Sequence, residues 1–195
     1  MGRSRPGGRR ARIAQSPGAT REAPRAGAGP GPAPSLASAV LPRLWQGVGY
    51  RPLPDVTPAR ALFDFAAVPW PERLEPVFAW GAWTAGDGGE RLIAAAVAER
   101  NGPAVFLQGP VIVSDDEPFE VAGQLVAVSL DHASALGVTT VYARPLALDR
   151  VWVRFGFIPV PESSLPAGLT GRPGEGLYAW RGGSALWSLR ELSAE

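Results

Sequence analysis

"AVFLQGPVIVSDDEPFEVAGQLVAVSLDHASALGVTTVYAR", residues 104–144, decides how this chain folds. It opens on an apolar run, 104–113, interrupted by Gly109-Pro110. A proline inside a strand removes a ladder donor and forces a bulge or an edge, so this strand should splay from a neighbour near its middle. Apolar or small residues then recur at 121, 122, 125, 126, 129, 133 and 136, which is helical spacing. Pro118 suits a first helical position and puts Glu117 at the cap, Gly137 stops the helix, and "TTVYAR" (139–144) reads as a β-branched strand.

The flanks extend this strand, helix, strand unit. Upstream, "VGYRPL" (48–53) reads as a short strand, and "TPARALFDFAAV" (57–68) as a helix with Thr57 as cap and Pro58 at its first position. The run "VFAWGAWTA" (77–85) is strand-like. Residues 91–100 and 104–113 flank Asn101-Gly102, a two-residue hairpin signal because both residues tolerate positive φ. Residues 77–113 therefore read as an antiparallel meander. Downstream come a short helix (146–155), a strand (157–161), a Gly/Pro-rich loop (163–176) and a last strand, "LYAWR" (177–181). This order predicts an α+β (α/β three-layer) domain with a mixed, mostly antiparallel sheet flanked by helices.

Composition bounds the rest. The 195 residues suit one domain plus a tail. Residues 1–38 carry seven Arg against a single acid, Glu22, and are rich in Pro and Gly; they are expected to be a disordered tail preceding a domain over 39–195. The basic tail is the one feature that suits nucleic acid, and it lacks interleaved aromatics. With no Cys, disulfides, thiolate nucleophiles and Cys-ligated metals are excluded. No stretch approaches the roughly 20 apolar residues of a membrane span, and no apolar leader is visible, so the expectation is a cytoplasmic protein without a membrane partner. The sequence gives no sign of oligomeric state.

The signals in "GPVIV", "AGQLVAVSLDHASALGV" and "VWVRFGFIPV", in this order and spacing, resemble the GNAT N-acyltransferase superfamily over roughly residues 48–181. The resemblance implies transfer of an acetyl group from acetyl-CoA to an amine, with no metal. It implies that coenzyme A is held by strand backbone at Val111, Ile112 and Val113 and by amides near Ala122 and Gly123. In the family a loop of pattern R/Q-x-x-G-x-G/A precedes the helix and offers its amides to the pyrophosphate. Aligned on Gly137, this chain has Glu117 in place of the Arg or Gln and Glu120 in place of the first Gly, so the loop is degenerate. Asp115, Asp116, Glu117 and Glu120 are expected to cap the helix themselves and to oppose a phosphate.

The family also places a tyrosine, acting as general acid, four residues before the Gly of "GF". Here that position holds Trp152, whose indole N–H has no useful acidity. Tyr142, Glu99 and Gln108 are the remaining candidates for a catalytic role, each with a plain structural alternative: a core-edge aromatic, a solvated turn residue and a strand amide. His132, the single histidine, reads as a boundary packing residue, since no Cys or second His could complete a metal site. Trp80, Trp83, Trp152, Trp180 and Trp187 could line a groove, though packing accounts for most of them. Two functions stay open: an N-acyltransferase of unassigned amine acceptor, with reduced activity, and a catalytically inactive binding protein of the same fold that no longer uses coenzyme A.

Overall fold

The computed structural model describes residues 35–72, 75–86 and 88–182. Its elements are α1 (Leu36–Ala39), β1 (Arg43–Trp45), β2 (Val48–Pro52), α2 (Thr57–Phe65), β3 (Pro76–Gly86), β4 (Gly89–Asn101), β5 (Ala104–Ile112), α3 (Pro118–Ala135), β6 (Thr140–Ala143), α4 (Asp149–Arg154), β7 (Ile158–Pro159) and β8 (Tyr178–Arg181). The strands form one open sheet in the order β1-β2-β3-β4-β5-β6-β8-β7. Every pairing is antiparallel except β5 with β6, which are parallel and joined by α3. This is the mixed, mostly antiparallel α+β sheet that the order of elements predicts.

Local chemistry moves several boundaries. The hairpin turn is Gly102-Pro103, because Asn101 already pairs with Ala104; only Gly102, at φ +58°, needs positive φ. Thr57 is the first residue of α2 rather than its cap: Val56 is the cap residue, and the Asp55 carboxylate accepts from the Thr57 N–H (3.0 Å) and hydroxyl (2.9 Å). The helix expected over 146–155 starts only at Asp149, since Leu146 and Ala147 take positive φ in a preceding turn. Residues 36–38, assigned to the tail, form α1 together with Ala39, which is buried. The rest of the tail, 1–34, and Trp187 lie outside the described residues.

The sheet carries a layer on each face. On one face, α3 and α4 bury Leu125, Val126, Leu130, Val151 and Trp152 against Trp80, Val105, Leu107 and Val141. On the other, Leu62 and Phe63 of α2 cover Ala79, Ala95, Val97 and Val111, while Leu165, Leu169 and Leu177 cover Phe106 and Tyr142. Trp80 and Trp83 lie on opposite faces, a register shift separating them, and so share no groove. The C-terminal end of α3 closes as Gly137 takes φ +74°, letting Val138 N–H donate to Ala133 O at 3.0 Å.

The expected splay is present. β5 and β6 pair from Ala104↔Thr140 to Leu107↔Ala143 and then part. Just beyond, Gly109 sits at φ +90°, and a Cβ there would lie 2.8 Å from Ala95 O and 3.0 Å from Val111 N. Only glycine fits, and Pro110 has no N–H to offer β6. The β4–β5 register shifts at the same level, between Ala95 and Val97.

Gly109→Ala should therefore cost on the order of 3 kcal/mol of stability, because backbone atoms of two strands would have to move. Gly102→Ala, with open space around it, should cost only about 1 kcal/mol. Urea unfolding of the two variants measures the difference.

Candidate functional site

Beyond Leu107 the β6-facing edge of β5 has no partner strand among the described residues. Val113 N–H donates to Ile93 O across β4 (2.8 Å), and strand alternation turns Val111 the same way. Of the three residues expected to offer backbone to a cofactor, Ile112 is the one whose N–H and C=O face the parting. Val111 and Val113 direct theirs into the sheet.

At the mouth of this parting stands the N-terminus of α3. Glu117 is its cap residue, as Pro118 predicted, but it takes left-handed φ,ψ (42°, 50°) and its carboxylate accepts no helix amide. Glu117 O receives the N–H groups of Glu120 (2.9 Å) and Val121 (3.1 Å). The Glu120 carboxylate turns sideways, accepting from Gln124 Nε2 (2.9 Å) and Arg154 (3.2 Å). The expectation that the acids fill the helix end is thus corrected: strain at Glu117 points its backbone carbonyl, not its carboxylate, at the first turn. Ala122 and Gly123 lie in the second turn, where N–H groups belong to the helix ladder. At the start of the helix the N–H groups of Glu117 and Phe119 have no partner among the described residues. Gly123 lies beside the Arg154–Glu120 bridge: a Cβ there would meet the Arg154 guanidinium at 3.6 Å, an ordinary contact.

Trp152 is completely buried on α4, and its indole N–H donates to Pro145 O (3.0 Å), closing the turn after β6. It orients backbone and has no hydrogen to offer a ligand. Tyr142 donates its hydroxyl to Ser164 O (2.7 Å), anchoring the loop before β8. Tyr178 donates to Asp149 (2.8 Å), and that hydrogen bond pushes its phenol above the ordinary value. The Tyr50 phenol is pushed up to about 12, by burial first and by the Glu120 charge second. Tyr178 and Tyr50 therefore remain protonated near neutral pH.

Glu99 is buried, at 3% exposure, and is not a solvated turn residue. It is held by Arg172 through two hydrogen bonds (2.6 and 2.8 Å) and accepts a third from Gln108 Nε2 (3.2 Å). Arg172 comes from the Gly/Pro-rich loop and was not singled out from sequence, nor was Arg144, which is buried beside it. Arg144 pairs with Glu162 and donates to Gly176 O (2.6 Å) and Arg172 O (3.1 Å). Glu99, Arg172, Arg144 and Glu162 thus form a charged seam binding the loop to the face of β5 and β6 opposite α3. The inward orientation of Glu99 was readable, since it continues the alternation of buried Ala95 and Val97. Its partner, 73 residues away, was not.

His132 stacks on Phe78 (4.3 Å between ring centres), and its Nδ1 accepts from Trp80 Nε1 at 3.2 Å. Burial lowers its pKa, so it is a neutral acceptor inside the core. Among the described residues no group of three or more His, Asp or Glu side chains could hold a metal ion, and no helix is long and apolar enough to cross a membrane.

No family model matches this sequence, and no curated protein matches it. Solved structures do match. An acetyltransferase of the GNAT family from Staphylococcus aureus aligns at 7% identity and TM-score 0.52 over 69% of this chain and 98% of its own. The ribosomal-protein-S18-alanine N-acetyltransferase of Escherichia coli aligns at 17% and 0.51 over 71% and 96%. N-acetylglutamate synthase from Neisseria gonorrhoeae, complexed with coenzyme A and L-arginine, aligns at 14% and 0.53 over 69% of this chain but only 33% of that one. The fold is that of the GNAT acetyltransferases.

Two stability measurements test the buried polar groups. The folded pKa of His132 lies below its unfolded value of about 6.5, so the stability it contributes is complete above that pH and is lost as pH falls through the lower, folded pKa. His132→Phe should flatten this acid-side slope and cost about 1–2 kcal/mol near pH 7.5 by leaving the Trp80 N–H unpaired. Arg172→Met should cost about 3–5 kcal/mol by stranding Glu99, and the double change Glu99→Leu/Arg172→Met should recover most of it in a denaturant-unfolding cycle.

Proposed function

We propose that this chain is an acyl-CoA-dependent N-acyltransferase that moves an acetyl group from acetyl-CoA to an amine. The observation that carries the reading is the parting of β5 from β6, with the Ile112 backbone facing it and α3 beginning at its mouth. An amide-bearing pantetheine arm suits such an opening, because it can pair with the unpartnered strand edge as a neighbouring strand would. The chain's donors fit this group: Ile112 for the arm, and the N–H groups of Glu117 and Phe119 for the diphosphate, at the positive end of α3. When bound, the thioester would supply an acyl carbonyl activated toward an amine.

The charges near these donors are less favourable. Asp115, Asp116 and Glu117 are exposed, and Arg154 is already paired with Glu120. Exposed carboxylates are screened by solvent and salt, so they weaken diphosphate binding without forbidding it. Their side chains leave the Glu117 and Phe119 amides available, which argues against the alternative reading of a fold that no longer uses coenzyme A. Trp152 supplies no proton, so loss of the amine proton and protonation of the departing thiolate fall to water. The acceptor is an amine whose identity depends on the α2 side of the sheet and the loop holding Arg172.

Acetyl-CoA at about 100 times its dissociation constant should stabilise the full chain by about 2.7 kcal/mol. Glu117→Gly should tighten binding by roughly threefold to tenfold, because it removes a charge near the amides while suiting the left-handed backbone. Thermal unfolding with and without millimolar acetyl-CoA is the measurement. Absence of a shift in both proteins would overturn the reading.

A further inference from the structure

The N-terminal half of α2 and residues 70–72 border a half-open cavity of about 390 Å³ lined by Val56, Thr57, Arg60, Trp70, Pro71 and Glu72. That volume falls within the range of small-molecule sites. Its lining holds one guanidinium and one carboxylate, and neither side chain has a hydrogen-bond or ion-pair partner among the described residues, including each other.

The rest of the lining is set. Asp55 already satisfies the Thr57 N–H and hydroxyl, so the first turn of α2 has its own anion and makes no demand on the cavity. Trp70 is fixed by an edge-on contact with Phe63, with ring centres 5.1 Å apart and planes at 84°. Phe63 is itself buried in the core beneath α2, so the indole is pre-positioned by the fold. An indole and a carboxylate in one lining suit an ammonium group, which gains from both. A guanidinium elsewhere in the lining suits a carboxylate. Val56 and Pro71 supply apolar surface for a short side chain.

We propose that this cavity binds a small zwitterion of the free α-amino-acid class, its carboxylate on Arg60, its ammonium between Glu72 and Trp70, and its side chain against Val56 and Pro71. The inference stands on the cavity alone and does not depend on acyl transfer.

Three probes separate the two charges: L-leucine, N-acetyl-L-leucine, which lacks the ammonium, and L-leucinamide, which lacks the carboxylate. Each is added to the full-length protein without acetyl-CoA, and binding is followed by thermal unfolding and ligand-observed NMR. L-leucine at tens of millimolar should raise the unfolding midpoint by roughly 3 °C, and each single-charge analogue should bind about tenfold more weakly. Arg60→Gln and Glu72→Gln change exposed side chains, so both variants should fold as the parent does, and each should weaken L-leucine binding about tenfold. Equal binding of the three probes, unchanged binding in both variants, or no binding of L-leucine would overturn the proposal.

Discussion

The architecture turns on the contact between Gly109 and Ala95 O. A glycine at φ +90° brings the backbone of β5 so close to β4 that no side chain could stand between them, and the proline that follows has no N–H to give. β5 therefore keeps its partner on one side and loses it on the other. An open edge in the middle of a sheet is ordinarily a liability. Here it lies between two packed layers, with the N-terminus of α3 at its mouth.

Packing on both faces holds the parting in shape. On the α3 side, Trp152 fills the core beneath β6 and ties down the turn at Pro145, while Arg154 reaches Glu120 past Gly123. On the other side, the seam from Glu99 through Arg172 and Arg144 to Glu162 fastens a long, Gly- and Pro-rich loop to the strands where they begin to diverge. Buried ion pairs of this kind contribute less net stability than their geometry suggests, since both charges must be desolvated. What they provide is registry: Glu99 can satisfy Arg172 and Gln108 together only when loop and strand are correctly placed. The α3 N-terminus combines a strained cap with available amides, and its nearby carboxylates stay in solvent or turn toward α4.

Much of this was legible in the sequence because it follows from local chemistry. Helical spacing over 121–136 located α3, Gly137 its end and Pro118 its beginning, and the Gly109-Pro110 pair announced the divergence of β5. Less legible were features set by a residue's surroundings. The carboxylates before α3 looked like caps, but capping depends on φ and ψ at Glu117, which composition does not reveal. Glu99 looked like a turn residue because its partner lies far along the chain in an irregular loop without periodicity. Strand phase turns the Val111 and Val113 backbone groups into the sheet and leaves those of Ile112 facing outward, because a bulge resets which backbone groups face which neighbour. Trp152, read as scaffold because an indole has no useful acidity, is buried and gives its N–H to Pro145 O.

Ile112 faces the open edge at which the proposed function seats the arm of acetyl-CoA, and amide hydrogen exchange at that residue tests this most directly. In the free protein the Ile112 N–H should exchange much faster than the Val113 N–H, which is bonded to Ile93 O. Saturating acetyl-CoA should slow Ile112 while leaving Val113 unchanged. Equal protection of the two amides without ligand, or an Ile112 amide indifferent to acetyl-CoA, would contradict it.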